Sequence, residues 1–553
     1  MRGKLRVAIL WHMHQPYYKH PQTGELVLPW VRLHASKDYL HMARLLQEYP
    51  RVKGNFTMVP GLRDQLDEYA RGAEDEDVRI TLRAVEGALT VEEREHILKR
   101  FFSIHHQNVI RRHPEYERLL ELANAAADRP ELLSDGYFVD LALHFNIAWM
   151  DPGDVEADER LRDLAARGRD FTRDELRYVL GRQRSMASGV QHLYHRLERD
   201  GQVELLTVPY FHPILPLLID SRAALRADPS AILPDPAFAF PEDAEAQVVD
   251  AIAAHTRAFG TVPRGMWPSE GAVSPEAADI MRAAGIAWFA SDESVLARSL
   301  GTTFERDEIG ALTEPALLYR PYRLANGATV IFRDREISDR IGFVYGEMTA
   351  HDAVGDLIWK LERARDRLPD DDVPYLALIA LDGENAWEGY PNNGSDFLRY
   401  LYATLGADER FETVRISEFL TAEPARTELG TLHSGSWIDA SFRVWLGEET
   451  HARAWSALAR TRRFAAEQWG ALTAMPPAVR RALMVAEGSD WFWWYSSRNT
   501  SPDDAEFDAL FRANLEVVWW SAGTEPPEGI RSPFADPERA RRRVGGAMLP
   551  GAS

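Results

Sequence analysis

One recurring feature constrains this chain more than any other: a short apolar run that stops at a polar or charged group. The runs are LRVAILW (5–11), NFTMVP (55–60), VELLTVPY (203–210), RGMWPSE (264–270), IAWFASDE (286–293), ATVIFRD (328–334) and YLALIALDG (375–383). Continuous apolar runs of this length suit strands buried on both faces. Segments near 275–285 and 351–366 separate some of them and read as helices. Alternating strand and helix predicts a parallel α/β sheet, closed as a barrel. Such folds place their chemistry at the C-terminal ends of the strands. The polar residues that end the runs are therefore candidates for one shared pocket.

The interval 75–200 is charged and helical, and predicts an insertion within the barrel. It carries HFNIAWMDP (144–152), an aromatic patch placed to face the pocket. After residue 420 the pattern turns helical again, in THARAWSALARTRRFAAEQWG, PPAVRRALMVAEGSDWFWWY and AEFDALFRANLEVVWWSAG. The expected organisation is a barrel over 1–420, a helical domain over 421–535 that completes the cleft, and a flexible tail over 536–553.

Composition narrows the function. The chain has 553 residues, 45% hydrophobic and 27% charged, which is globular. Its net charge of −21 is opposite to what a protein gripping a nucleic-acid backbone needs. It has no cysteine, so disulfides, thiolate metal sites and cysteine nucleophiles drop out. No segment reaches the ~18 consecutive apolar residues of a membrane helix. MRGKLRVAILWHMHQP imitates a signal peptide, but its apolar run is short and no small-residue cleavage site follows. It reads as a buried first strand, with the cytoplasm as the default compartment.

Three constellations carry candidate chemistry. WHMHQP puts His12 and His14 on one face of the first strand, as a hydrogen-bonded core pair, ligand contacts or metal ligands. RGMWPSEGAVSPEA sets Glu270 after a short strand containing Trp267 and before a helix starting at Ser274-Pro275. YLALIALDGENAWEGY ends a buried strand in Asp382, followed by Glu384 and Trp387. A carboxyl at the end of a buried run is desolvated, which raises its pKa and favours a protonated general acid. Two carboxylates on strand ends, ringed by Trp and His, are the machinery of glycoside hydrolysis.

Five ordered segments carry a resemblance: HQP (14–16), VPYFHPILPLL (208–218), GMWPSEGAVS (265–274), LDGENAWEGY (381–390) and SGSWIDASFRVWLG (434–447). In this order they resemble glycoside hydrolase family 57, nearest to its amylopullulanase and α-amylase type. The resemblance implies a (β/α)7 barrel and a retaining α-glucan hydrolase acting on α-1,4 bonds, with α-1,6 bonds also open. Glu270 is the implied nucleophile and Asp382 the acid/base. His12, His14, His212, Trp267, Glu384, Trp387 and Trp437 are implied substrate contacts. No cofactor or metal is implied; the partner is an α-glucan or malto-oligosaccharide, not nucleic acid or membrane. The alternative is a 4-α-glucanotransferase or branching enzyme using the same pair. One departure follows WFWWY, where relatives often carry an acidic turn and this chain has Ser496, Ser497, Arg498 and Asn499.

Overall fold

The computed structural model describes residues 3–126 and 129–535, so the tail expected over 536–553 lies outside the described residues. The strands are β1 (Leu5–Met13), β2 (Gly54–Met58), β3 (Val203–Leu206), β4 (Gly265–Met266), β5 (Trp288–Asp292), β6 (Tyr322–Arg323), β7 (Thr329–Arg333), β8 (Leu376–Asp382), β9 (Phe411–Thr413) and β10 (Thr427–Glu428). Parallel pairing joins β8 to β1, β1 to β2, β2 to β3, β4 to β5, and β5 to β7. Two narrow seams complete the circle. Thr207 pairs with Met266 just beyond β3, and Arg333 pairs with Leu378 between β7 and β8. The result is a closed, all-parallel barrel of seven strands, as the apolar runs and the resemblance imply. Residues of β1, β2 and β8 are almost all buried, which is why their sequences do not alternate.

Polar residues at strand ends divide into two uses. Asp292 and Asp334 do not open into a shared pocket as expected. Asp292 accepts the Ser294 N–H at 2.8 Å, Asp334 accepts the Ile337 N–H at 3.3 Å, and each starts the next helix. Ser274 does the same for the helix Pro275–Ala283 by accepting the Ala277 N–H. Glu270 and Asp382 cap nothing and stay available. β4 is only two residues long, so Trp267 lies just past it, its N–H bonded to the Thr207 carbonyl at 3.1 Å.

Between β2 and β3 run several helices, ending in the long Arg173–Arg199. The 144–152 patch packs inside this layer instead of facing the pocket. Trp149 is buried edge-on to His34, and His144 bonds the Gly168 carbonyl at 2.7 Å. Helices Glu449–Trp469, Pro477–Ala486, Ser489–Tyr495 and Asp504–Ser521 follow the barrel. They dock through the buried pair Arg462–Asp243 (2.6 Å) and through Asp503, which meets Arg100 at 2.8 Å and Trp30 at 3.0 Å. No helix of the described residues is long and apolar enough to cross a membrane.

Candidate active site

Glu270 sits in a turn, Ser269–Gly271, with φ 59° and ψ 23°. A non-glycine residue in this left-handed region is strained by about 1 kcal/mol or more, so the surroundings must hold it. They do so from the loop near 437: the Trp437 backbone N–H donates to the Glu270 carbonyl at 3.0 Å, and the indole Nε1–H donates to Oε2 at 2.8 Å. The loop is itself tied down by paired bonds between Val273 and Gly435. Burial, then the negative charges of Asp382 and Asp490, push the Glu270 carboxyl well above its usual range; the Trp437 bond pulls it back.

Asp382 is the last residue of β8 and stands opposite His12 in register. Its Oδ2 accepts from Asn385 Nδ2 at 2.9 Å. Burial raises its pKa, against the pull of Asn385, His14 and Arg333. The charge on Asp382 is thus one of the causes that raise Glu270.

Three histidines build one wall. His12 and His212 meet Nε2 to Nε2 at 3.0 Å, and their Nδ1 atoms bond Thr57 (2.7 Å) and Ser489 (2.9 Å). Burial, with the charge of His14, pushes both well below the usual histidine range, which keeps the pair neutral. His14 stacks on His212 with ring centroids 3.8 Å apart and bonds Asp490 at 2.7 Å. His212 Nδ1 also lies 3.8 Å from Glu270 Oε1. His14, His212 and Asp490 bring possible ligand atoms within 4.8 Å of one another, the one such group among the described residues. Metal ligation needs in-plane lone pairs converging on one point. Three of the four ring nitrogens of His14 and His212 already bond Asp490, Ser489 and His12, and the fourth, His14 Nδ1, is buried with no hydrogen-bond partner.

Glu384 is buried behind this wall. Its Oε1 accepts from Tyr39 OH (2.9 Å), the His14 N–H (3.1 Å) and Gln15 Nε2 (3.3 Å). Burial and the charge of Asp382 push its pKa well up, against the pull of the Tyr39, His14 and Gln15 bonds. Tyr39 reaches it because a π-helical turn, Ala35–Tyr39, interrupts the first helical segment and turns the ring inward.

The expected residues therefore converge, but two of the expected contacts, Trp267 and Trp387, are packed away with no surface for a ligand. Glu270, Asp382, His12, His14, His212, Glu384, Trp267 and Trp437 form one assembly; Trp267 is fully buried, edge-on to Trp437 at 5.2 Å. Trp387 is 1% exposed, wedged against Trp11 and Tyr390, with its Nε1–H on the Gly383 carbonyl at 2.7 Å. It props the loop after Asp382 and has no surface to offer a ligand. Sequence reading missed the roles of Asp490, Ser489, Tyr39, Thr57 and Arg333. Asp490 and Ser489 lie in a segment notable for its aromatics, and Arg333 ends a recognised strand run, so position alone could have flagged them. Nothing local signals Tyr39. The Ser496–Asn499 loop lies beside the Trp437 loop, where Arg498 meets Asp439 at 3.2 Å.

A closed parallel barrel with two buried carboxyls beyond its strand ends defines the class: a barrel of the glycoside-hydrolase kind. Residues 8–431 match the model of glycosyl hydrolase family 57, and the chain belongs to that family. Among solved structures, it is similar to a GH57-type branching enzyme from Pyrococcus horikoshii (TM-score 0.58, 16% identity, covering 96% of this chain and 93% of that one). It is similar to the α-amylase AmyC from Thermotoga maritima (0.55, 15%, 96% of each). It is also similar to 4-α-glucanotransferase from Thermococcus litoralis (0.51, 13%, 93% of this chain and 60% of that one). At these identities the likeness is one of fold. No curated protein sequence matches the chain significantly.

Proposed function

We propose that the protein is a retaining α-glucan hydrolase of the α-amylase or amylopullulanase type, with Glu270 as nucleophile and Asp382 as acid/base. The observation that supports this reading best is that both carboxyls stand against the same histidines beyond the strand ends: His212 Nδ1 lies 3.8 Å from Glu270 Oε1, and Asp382 stands opposite His12 in register. The reading requires Asp382 to carry the proton and Glu270, bonded by Trp437, to be ionised, against the burial that raises the Glu270 carboxyl. Glu270 then attacks the anomeric carbon of an α-linked glucosyl unit. The bond to the glycosidic oxygen breaks, Asp382 gives that oxygen its proton, and a β-glucosyl ester forms. Asp382 next takes a proton from water, which opens the ester with net retention. The partly buried His14 and Trp437 supply polar edges and flat faces toward sugar hydroxyls and rings, and the buried His12–His212 pair backs the His14 ring.

A sugar hydroxyl can replace water at the second step, and the relatives named above include such transferases. The test is incubation with maltoheptaose, products resolved by length. Only shorter sugars support hydrolysis, and pullulan then tests α-1,6 bonds. Longer sugars beside shorter ones would make it a transferase, and no product would remove the enzyme reading.

A further inference from the structure

A buried arginine stands behind Glu270 without bonding it. Arg333 ends β7 and is 5% exposed. Its Nε donates to Asp292 Oδ2 at 2.6 Å, and its Nη1 donates to the Ala380 carbonyl at 3.0 Å and meets Asp339 Oδ1 at 3.0 Å. These partners come from β5, β8 and the helix Arg335–Phe343, so the guanidinium is held from three sides. It lies over the face of Trp437, 4.9 Å from the ring centroid. Trp437 passes its indole N–H to Glu270 Oε2 at 2.8 Å.

A cation over an aromatic face is attracted to its π-density. Drawing that density toward the cation leaves the N–H edge more positive, so the indole becomes a stronger donor, and more so away from water. A stronger donor favours the charged form of its acceptor. The same contact fixes the tilt of the ring, and with it the direction of the N–H.

We propose that Arg333 is a positioning residue for the nucleophile: through Trp437 it aims a strengthened hydrogen bond at Glu270 and favours the charged form of that carboxyl. This rests on the reading of Glu270 as nucleophile. The charged groups facing Arg333 are Asp292, Glu293, Asp339 and Asp382, the last of which it also pulls down directly; those facing Glu270 are Asp382, Asp490 and His212.

The test pairs a titration with kinetics. The pH-dependent near-UV signal of Trp437 is taken as the difference from Trp437→Phe, with Glu270→Gln as the non-titrating baseline. Arg333→Met is made together with Asp292→Asn, so that no buried carboxylate is left without its partner; Arg333→Lys keeps the charge but loses the planar face. The midpoint is expected to rise by about one pH unit in Arg333→Met/Asp292→Asn and by less in Arg333→Lys. On maltoheptaose, kcat at acid pH is expected to fall about tenfold with KM within about twofold. Adding Trp437→Phe to the arginine variant should cost no more than Trp437→Phe alone. An unmoved midpoint, a loss carried by KM, or additive losses would overturn the proposal. If the double variant does not fold, Arg333→Lys decides on the same midpoint. A wild-type protein that releases no product from any glucan removes the glucanase reading, while the titration still tests Arg333.

Discussion

Trp437 bonds Glu270 twice, through its indole to Oε2 and through its backbone N–H to the carbonyl, across 167 positions of sequence. One residue thus fixes both the strained turn and the carboxylate it carries. Its loop depends on Gly435, where a Cβ would stand 2.3 Å from the Ala440 carbonyl oxygen, a backbone atom that cannot swing aside. Gly435→Ala should therefore displace the loop and lower kcat/KM by about tenfold or more while the barrel still melts within a few degrees of wild type. Full activity in this variant would show that the loop does not set the nucleophile.

Nucleophile and acid/base can be told apart by stereochemistry. Glu270→Ala with α-glucosyl fluoride and azide is expected to yield β-glucosyl azide, because azide enters the vacated nucleophile side in one displacement. Asp382→Ala, which still forms the ester, is expected to yield the α-azide. The opposite pairing of products, read by NMR, would exchange the two roles.

The high proton affinity of Glu270 has a stability cost. Its folded pKa lies above the ordinary 4.5, so the folded state binds the proton more tightly than the unfolded chain. The wild type must therefore lose stability as pH rises through and above that ordinary value. Glu270→Gln does not titrate and keeps an acceptor for Trp437. Its melting temperature should exceed wild type by about 2 °C or more at pH 8, the gap closing toward pH 4. A constant gap across this range would mean that Glu270 is not desolvated.

Arg462 and Asp243 tie the helix Glu449–Trp469 to the helix Pro241–Phe259 by two bonds, at 2.6 and 2.8 Å, with both side chains buried. Arg462→Met leaves Asp243 charged, buried and unpaired beside Glu487. It should cost about 3–5 kcal/mol, seen as a much lower thermal midpoint. Arg462→Met together with Asp243→Leu should recover most of it; failure to recover would show that the pair does more than satisfy itself.

The strand runs were legible because strands buried on both faces leave no other reading, and Asp382 was legible because it closes one of them. Glu270 was legible from its place between a strand and a capped helix. Asp292 and Asp334 look equivalent in sequence; only folding shows that they start helices and bind arginines. Trp387 shares a motif with Asp382 and so reads as a site residue, yet Gly394 lets it pack so closely that a Cβ there would lie 2.4 Å from its ring. Tyr39 depends on a π turn, and Arg333 on three separate elements converging. Neither arrangement leaves a local pattern.

The matched family region ends at residue 431, but the donor to Glu270 is Trp437, and the partners of His212 and His14 are Ser489 and Asp490. A ribosome that has released only the seven strands has made a barrel whose proposed nucleophile still lacks its Trp437 donor. The proposed chemistry is thus completed late in synthesis, and a truncation between residue 431 and about residue 490 should silence it.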